Sequence, residues 1–135
     1  MTALEYQGAL VALADRLEGR LGAFYRSLLG EPVRSLGSGY WEFELLGGLR
    51  LGIFRPQPGQ DDRFGGGSSG DFSLCLEVVN LERAIAQVID LGATVPAPIR
   101  VASHGREVDA IDPAGNRLIL YEATDSRVVD LRTVP

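Results

Sequence analysis

The sequence predicts an α+β protein built from two βαβββ modules that together form one domain. Its 135 residues are close to the usual size of a single domain. Apolar residues alternate or recur at helical spacing in the order strand, helix and three strands, and this order occurs twice. The copies share local sequence, since LLGEPV at 28–33 resembles DLGATV at 90–95 and LRLGIF at 49–54 resembles NRLILY at 116–121. Such a repeat indicates a duplicated unit, and two copies supply an ordinary core.

The first module is predicted to span residues 6–54. An apolar run at 6–13 predicts its first strand. Asp15 then offers an N-cap oxygen, and Glu18 follows three residues later as in a capping box. Gly30 is a suitable C-cap for the helix that follows. Short apolar segments separated by glycines predict the three remaining strands at 32–37, 40–46 and 49–54.

A linker at 55–70 separates the modules, because this segment holds two prolines and five glycines and almost no apolar residue. The second module is predicted at 71–122. Asn80 caps its helix, which Gly92 ends, and its predicted strands lie at 72–79, 93–102, 106–112 and 117–122. The weakly apolar tail at 123–135 predicts either an extra strand or an arm.

Composition excludes several kinds of chemistry. A single cysteine, Cys75, rules out an internal disulfide and multi-cysteine zinc sites, and a single histidine, His104, rules out sites that need two. All 13 basic residues are arginine, so a Schiff-base lysine is impossible. The net charge of −5 argues against nucleic acid and membrane surfaces as partners. With no apolar run of membrane-spanning length and no signal-peptide pattern, we expect a cytoplasmic protein.

Three segments resemble the vicinal oxygen chelate (VOC) superfamily, which includes glyoxalase I, bleomycin-resistance proteins and extradiol dioxygenases. They are FYRSLLG at 24–30, LEVVNLERAIAQVIDLGATV at 76–95 and DPAGNRLILYE at 112–122. With the duplicated order of elements, the resemblance covers residues 6–122. It implies curled sheets whose two modules enclose a cleft. It also implies a homodimer, to whose interface the tail at 123–135 could contribute.

The same resemblance implies that metal-dependent members bind an ion through one residue on the first strand and one on the last strand of each module. Carried over position by position, these ligands fall on Ala9, Gly52, Ser73 and Ile119. Gln7 shares the strand face of Ala9 and is the only residue there with suitable chemistry. A divalent ion needs several converging oxygen or nitrogen donors, which glycine and isoleucine lack. We therefore expect no metal site and no cofactor.

Side chains alternate across a strand, so each predicted strand has a core face and a face turned to the cleft. The predicted core residues are Trp41, Phe43, Leu49, Leu51, Ile53, Leu74, Leu76, Val78, Val108, Ala110, Leu118 and Leu120. The predicted cleft residues are Tyr40, Glu42, Glu44, Arg50, Gly52, Phe54, Ser73, Cys75, Glu77, Glu107, Asp109, Ile111, Arg117, Ile119 and Tyr121.

The cleft face carries more carboxylates than arginines, which is consistent either with internal ion pairing or with attraction of a cation. Its aromatic rings would add stacking area for a planar ligand. Bleomycin-resistance proteins, by the resemblance, are metal-free and sequester a cationic drug. The sequence thus predicts a metal-independent protein that binds a cationic or aromatic small molecule. The predicted ligand-binding residues are Glu42, Arg50, Cys75, Glu77, Asp109, Arg117 and Tyr121.

Two alternatives stay open. One is a lyase, isomerase or dioxygenase-like enzyme of the same fold with a non-standard site, in which Glu77 or Asp109 would be the base; no catalytic residue can be assigned from the sequence. The other is a structural member whose cleft is filled, in part by Phe54 and Ile119. A nucleophilic Cys75 would need a neighbouring base, which the sequence does not place beside it.

Overall fold

A computed structural model of the chain describes residues 9–58 and 73–124, together with the single residues 3, 5 and 7. The chain divides into two compact units, Met1–Phe64 and Gly65–Pro135. Each unit contains one helix and one four-stranded mixed sheet among its described residues. The predicted α+β fold of two βαβββ modules is confirmed, and we refer to the two units as module one and module two.

Module one consists of β1 (Val11–Ala14), α1 (Arg20–Leu29), β2 (Arg34–Leu36), β3 (Tyr40–Glu44) and β4 (Arg50–Phe54). The strand order in its sheet is β1-β4-β3-β2. Strand β1 runs parallel to β4, and the other two pairs are antiparallel. The first and last strands of the module are therefore neighbours.

Module two repeats this arrangement with β5 (Leu74–Glu77), α2 (Leu81–Asp90), β6 (Arg100–Ala102), β7 (Gly105–Ile111) and β8 (Arg117–Ala123). Its strand order is β5-β8-β7-β6, and β5 runs parallel to β8. Since the pairing pattern matches that of module one, the duplication seen in the sequence is also a duplication of strand register.

Each helix covers one face of its own sheet, and this contact forms the core of the module. Helix α1 buries Leu21, Phe24 and Tyr25, and α2 buries Leu81, Ala84 and Val88. The strand residues buried with them are Phe43, Leu51, Ile53, Val108, Ala110, Leu118 and Leu120. All seven were predicted as core residues. Leu49 was also predicted there but is 43% exposed, because it precedes the first residue of β4.

Helix α1 begins later than the sequence predicts, so the capping box formed by Asp15 and Glu18 is wrong. Glu18 and Gly19 both have positive φ angles, 57° and 93°, and this turn delays the first helical residue to Arg20. Asp15 still serves the helix from the end of β1. Its buried carboxylate accepts hydrogen bonds from the backbone N–H of Leu17 at 2.9 Å and of Gly22 at 3.0 Å. The residue that follows β1 thus satisfies an amide of the first helical turn.

Helix α2 begins as predicted, with Asn80 as N-cap. The Asn80 side chain accepts a hydrogen bond from the backbone N–H of Arg83 at 2.9 Å. A second acceptor comes from the last strand, since Glu122 Oε2 lies 2.8 Å from the backbone nitrogen of Leu81. The residue before the helix and a residue of the last strand therefore both satisfy backbone amides of its first turn.

Arg106 joins this helix to the sheet. Its guanidinium donates to Glu82 Oε2 at 2.7 Å and to Glu122 Oε1 at 2.7 Å. Hydrogen bonds from Arg106 hold the pKa of Glu82 at about 2, and they also lower the pKa of Glu122. The same contacts raise the pKa of Arg106. Both carboxylates are thus stabilised in their charged form by one arginine.

Two of the predicted strands differ clearly from the observed ones. The first strand, predicted at 6–13, begins at Val11; residues 6 and 8 lie outside the described residues. The strand predicted at 93–102 is reduced to a single bridge at Thr94 and the short β6, because Pro96 and Pro98 have no N–H to donate to a ladder. The linker beyond Pro58 and the tail beyond Thr124 lie outside the described residues.

Candidate functional site

The face of the module two sheet that is turned away from α2 gathers most of the predicted site residues. Strand pairing places Cys75 beside Ile119 and Ile119 beside Asp109, and it places Tyr121 between Glu77 and Glu107. We call this the open face of module two; it consists of Ser73, Cys75, Glu77, Arg100, Glu107, Asp109, Arg117, Ile119 and Tyr121. Five of the seven predicted ligand-binding residues lie on it.

Arg100, which is not among the predicted site residues, holds two carboxylates of this face. Its Nη2 lies 2.9 Å from Asp109 Oδ1 and 3.3 Å from Glu107 Oε1. The hydrogen bond to Asp109 is the main cause that raises the pKa of Arg100. Strand alternation could have placed Arg100 on this face, because Arg100 pairs with Glu107 across β6 and β7.

Arg117 is held by a hydroxyl rather than by a close carboxylate. Its Nε donates a hydrogen bond to Ser73 Oγ at 2.7 Å. Its Nη1 lies 3.8 Å from Asp109 Oδ2, beyond hydrogen-bond distance. Asp109 therefore lies between two arginines and is bound closely by only one of them.

Tyr121 lies over a glycine of the neighbouring strand. A Cβ atom at Gly105 would come within 2.7 Å of Tyr121 Cε1, so a larger residue at 105 would displace the ring. The Tyr121 hydroxyl donates to the backbone oxygen of His104 at 2.8 Å, and the two rings are 5.8 Å apart. The turn at His104 thus fixes the position of the tyrosine.

Cys75 is exposed on this face but is not activated. Partial burial raises the pKa of its thiol, and the negative charge of Glu107 raises it further. A thiol that stays protonated is a poor nucleophile. Cys75 therefore contributes surface to this face rather than covalent chemistry.

In module one, the predicted site residues Glu42 and Arg50 form a closed group with Tyr40. The Tyr40 hydroxyl donates to Glu42 Oε1 at 2.8 Å, and Arg50 Nη1 lies 3.3 Å from Glu42 Oε2. Glu42 is 5% exposed. The hydrogen bond from Tyr40, followed by the charge of Arg50, lowers the pKa of Glu42. The carboxylate is ionised and both its oxygens are occupied by neighbours.

Tyr40 also fills the space beside Gly52. A Cβ atom at Gly52 would lie 2.6 Å from the Tyr40 hydroxyl oxygen, so the absence of a side chain at 52 makes room for the phenol. This is one of the four positions at which the family resemblance implies a metal ligand. In module one that position is occupied by a tyrosine from the adjacent strand.

Strand register corrects one of those four positions. In module one Val11 pairs with Leu51, and in module two Leu74 pairs with Leu118. Because 49–54 aligns with 116–121, these two pairs correspond to each other. The residue that precedes each first strand is then Leu10 in one module and Ser73 in the other. Ala9, the predicted position, therefore lies one residue before the residue that corresponds to Ser73.

The residues at these positions do not fit a divalent ion. Leu10, Gly52 and Ile119 have no donor atom in their side chains, and the Ser73 hydroxyl already accepts from Arg117. Gln7, the other candidate, is exposed and lies outside any strand. Within residues 9–58 and 73–124, moreover, no three histidine, cysteine, aspartate or glutamate side chains converge as a metal site would require.

A separate small pocket lies in module one at the start of α1. It has a volume of about 70 Å³ and is lined in part by Asp15, Trp41 and Arg55. Ligand pockets for drug-sized molecules usually have volumes of about 300–1,000 Å³. Trp41, predicted as core, is half-buried at this pocket and lies under the guanidinium of Arg26 at 5.5 Å. The pocket has room for water rather than for such a ligand.

Comparison with known proteins identifies the family. A family model described as "Glyoxalase-like domain" matches residues 11–121, which is most of the chain. The protein therefore belongs to the glyoxalase-like domain family, within the VOC superfamily that the sequence resembles. No functionally curated protein matches the sequence. Among the part of the chain that the structure describes, no helix is long and apolar enough to span a membrane.

Solved structures share the fold at low sequence identity. A glyoxalase-related enzyme from Fulvimarina pelagi is 20% identical with a TM-score of 0.69, covering 86% of this chain and 87% of that one. A glyoxalase/bleomycin resistance protein/dioxygenase family enzyme from Burkholderia phytofirmans is 18% identical with a TM-score of 0.68, covering 84% and 96%. The fosfomycin resistance protein FosX from Listeria monocytogenes, solved with Mn(II) and 1S,2S-dihydroxypropylphosphonic acid, is 16% identical with a TM-score of 0.66, covering 96% and 99%.

Proposed function

We propose that this protein binds a small molecule without a metal ion, in the manner of the bleomycin-resistance branch of its family, through the open face of module two. One observation carries the proposal. The positions at which the family resemblance implies metal ligands hold Leu10, Gly52, Ser73 and Ile119, which supply one oxygen between them. The neighbouring side chains nevertheless form an ordered polar face.

The charges of this face favour a ligand with a cationic group. Three carboxylates, Glu77, Glu107 and Asp109, lie among two arginines, Arg100 and Arg117. A cation that approaches the face therefore meets a surplus of negative charge. The ring of Tyr121 lies between Glu77 and Glu107 in the register and offers a surface for a planar or cationic group.

Glu42 and Arg50 have a structural part in this proposal. Tyr40 and Arg50 occupy both oxygens of Glu42, and the carboxylate is buried. Breaking this group to admit a ligand would leave a buried charge without its partners, which is strongly unfavourable. The sequence predicted both residues as ligand contacts; we assign them instead to the stability of module one.

The first experiment separates binding from metal-dependent catalysis. The purified protein is analysed for bound metal and then titrated with Ni²⁺, Zn²⁺ and Mn²⁺ by isothermal calorimetry. We expect no stoichiometric binding. One tightly bound ion per chain would overturn the proposal and favour the lyase, isomerase or dioxygenase-like alternative.

The second experiment tests the ligand class. Tryptamine and benzamidine, both aromatic cations, are titrated while ligand-induced stabilisation is followed by thermal shift. We expect stabilisation that weakens in Glu107→Gln. Asp90→Asn is the matched control, because it removes one carboxylate from the exposed side of α2. Equal stabilisation of both variants, or no stabilisation of the wild-type protein, would contradict binding at this face.

A homodimer and a cytoplasmic location complete the proposal, and both derive from the sequence analysis. Sedimentation equilibrium of the full chain tests the homodimer, for which we expect twice the monomer mass. Fractionation of expressing cells tests the second.

A further inference from the structure

Most hydrogen-bond donors of the Arg117 guanidinium have no close acceptor among the described residues. A guanidinium has five N–H groups. Among the described residues, the Nε–H of Arg117 bonds to Ser73 Oγ at 2.7 Å, and the Nη1 contact to Asp109 is a loose 3.8 Å. The side chain is 46% exposed. The edge formed by its two Nη atoms is therefore anchored in position but accessible.

Asp109 does not neutralise this arginine closely, because Arg100 competes for it. Asp109 Oδ1 lies 2.9 Å from Arg100 Nη2, whereas Oδ2 lies 3.8 Å from Arg117. Glu107 also pairs with Arg100, at 3.3 Å. Two carboxylates thus gather at Arg100, whereas the Nη edge of Arg117 faces Asp109 only at 3.8 Å.

Ser73 adds a second donor at the same place. Its oxygen accepts the Arg117 hydrogen bond, so its hydroxyl proton is available to donate elsewhere. A hydroxyl and a guanidinium that are already bonded to each other form a preorganised pair for an oxyanion. Arginine prefers carboxylate and phosphate groups because its planar fork makes two parallel hydrogen bonds to them.

We propose that Arg117 and Ser73 bind an oxyanion of the ligand, a carboxylate, phosphate or phosphonate group, and that this fixed guanidinium provides positive charge beside positions where metal-dependent relatives would hold an ion. The inference rests on the proposed function and adds to it the anionic end of the ligand. Tyr121 lies four residues along β8 from Arg117, or roughly 13 Å at the usual rise of a strand. The ligand is thus an elongated molecule with an oxyanion at one end and a cationic or aromatic group at the other.

The test uses phenylphosphonate, benzoate and inorganic phosphate as probes with the full-length protein in EDTA. Binding is followed by the ¹⁵N-edited NMR signals of the arginine Nε–H groups and by calorimetry. In the wild-type protein, the Arg117 signal is expected to shift on addition of phenylphosphonate. The dissociation constant is expected to rise at least tenfold in Arg117→Gln and severalfold in Ser73→Ala. Comparison of phenylphosphonate and benzoate with phosphate shows which oxyanion the pair prefers.

Two further variants keep the test decisive. Arg83→Gln removes an exposed arginine from α2 and should bind phenylphosphonate as the wild type does. Arg117→Lys keeps the charge but loses the fork, and intermediate binding is expected even if the glutamine variant folds poorly. Wild-type affinity in both Arg117 variants, or no phenylphosphonate binding to the wild-type protein, would overturn the inference.

The outcomes also separate this inference from the proposed function. If tryptamine binds but phenylphosphonate does not, the oxyanion pair fails and metal-independent binding stands. If a divalent ion binds stoichiometrically, the proposed function fails, whereas phenylphosphonate binding in EDTA would still identify the Arg117–Ser73 pair.

Discussion

The two modules place an arginine and a carboxylate at the same register positions but use them differently. Glu42 and Arg50 in module one correspond to Asp109 and Arg117 in module two, because Glu42 pairs with Gly52 as Asp109 pairs with Ile119. In module one the pair is closed at 3.3 Å, and in module two it is open at 3.8 Å. Identical backbone pairing therefore does not determine whether a charged pair is closed.

A neighbouring position contributes to the difference. Tyr40 in module one corresponds to Glu107 in module two, since each pairs with the aromatic residue near the end of the last strand. The Tyr40 hydroxyl is a donor and binds the carboxylate oxygen of Glu42 that Arg50 does not contact. Glu107 is an acceptor and itself needs a donor, which Arg100 supplies while also binding Asp109. A donor at this position thus helps to close the group in module one, and an acceptor together with Arg100 leaves the face of module two accessible.

The largest expected effect concerns the cores of the two modules and tests whether they contribute equally to the free energy of unfolding. Leu51 and Leu118 occupy corresponding positions and are both fully buried. Leu51→Ala and Leu118→Ala should each lower the free energy of unfolding by about 2–5 kcal/mol, since each removes buried methyl groups and leaves a cavity. Urea unfolding measures the effect. Leu46→Ala, at a fully exposed position, is the control and should change stability by less than about 0.5 kcal/mol. A loss below about 1 kcal/mol in only one core variant would break the equivalence.

A smaller effect concerns acid stability in module two. The pKa of Glu82 is about 2 in the folded protein against a usual 4.5, and that of Glu122 is also lowered. A lowered folded-state pKa contributes stability above the unfolded value, and this contribution is lost as pH falls from about 4.5 towards 2. Arg106→Gln should reduce this loss, because it removes the largest cause of the lowered pKa of both carboxylates and leaves only the smaller effect of backbone hydrogen bonds.

Thermal unfolding between pH 5 and pH 2 measures the change in slope. Arg26→Gln serves as the control, because Arg26 pairs only with the exposed Glu31 among the described carboxylates. An unchanged slope in Arg106→Gln would contradict the assignment of acid stability to this contact.

The smallest expected effect concerns the donor at Tyr40. Tyr40→Phe removes the hydrogen bond that contributes most to the lowered pKa of Glu42, so the pKa of Glu42 should rise. Carboxyl ¹³C NMR titration follows Glu42 directly. As a control in the other module, the pKa of Glu82, which Arg106 holds at about 2, should not change in this variant. A Glu42 pKa unaffected by the substitution would show that Arg50 alone closes the group.

Alternation and duplication predicted most of the fold because both follow from burial. Leu118 and Leu120 alternate with Arg117 and Ile119, and the same pattern in 49–54 identifies the matching strand. Boundaries were harder to predict. Apolar residues at 6–13 do not show where strand hydrogen bonding begins, and the sequence around Glu18 does not predict its positive φ. The helix start was consequently placed too early.

Much of the candidate site could also be predicted, at the level of which face each residue occupies. Cys75, Glu77, Asp109, Arg117 and Tyr121 share the predicted face. The choice of partner could not be predicted, because it depends on side-chain reach across neighbouring strands. Arg100 was missed since its segment contains two prolines and shows no regular alternation. The closure of Glu42 by Tyr40 depends on a glycine one strand away.

The hydrogen bond between Glu122 and the Leu81 amide has a consequence for synthesis. The two residues are 41 positions apart, and the acceptor belongs to the last described strand. While the chain is being made, α2 is synthesised before Glu122 has been added. During that interval, the first turn of α2 depends on Asn80 and water. The first turn of α2 thus gains its last hydrogen-bond acceptor only after β8 has been synthesised, so completion of this helix depends on the last described strand.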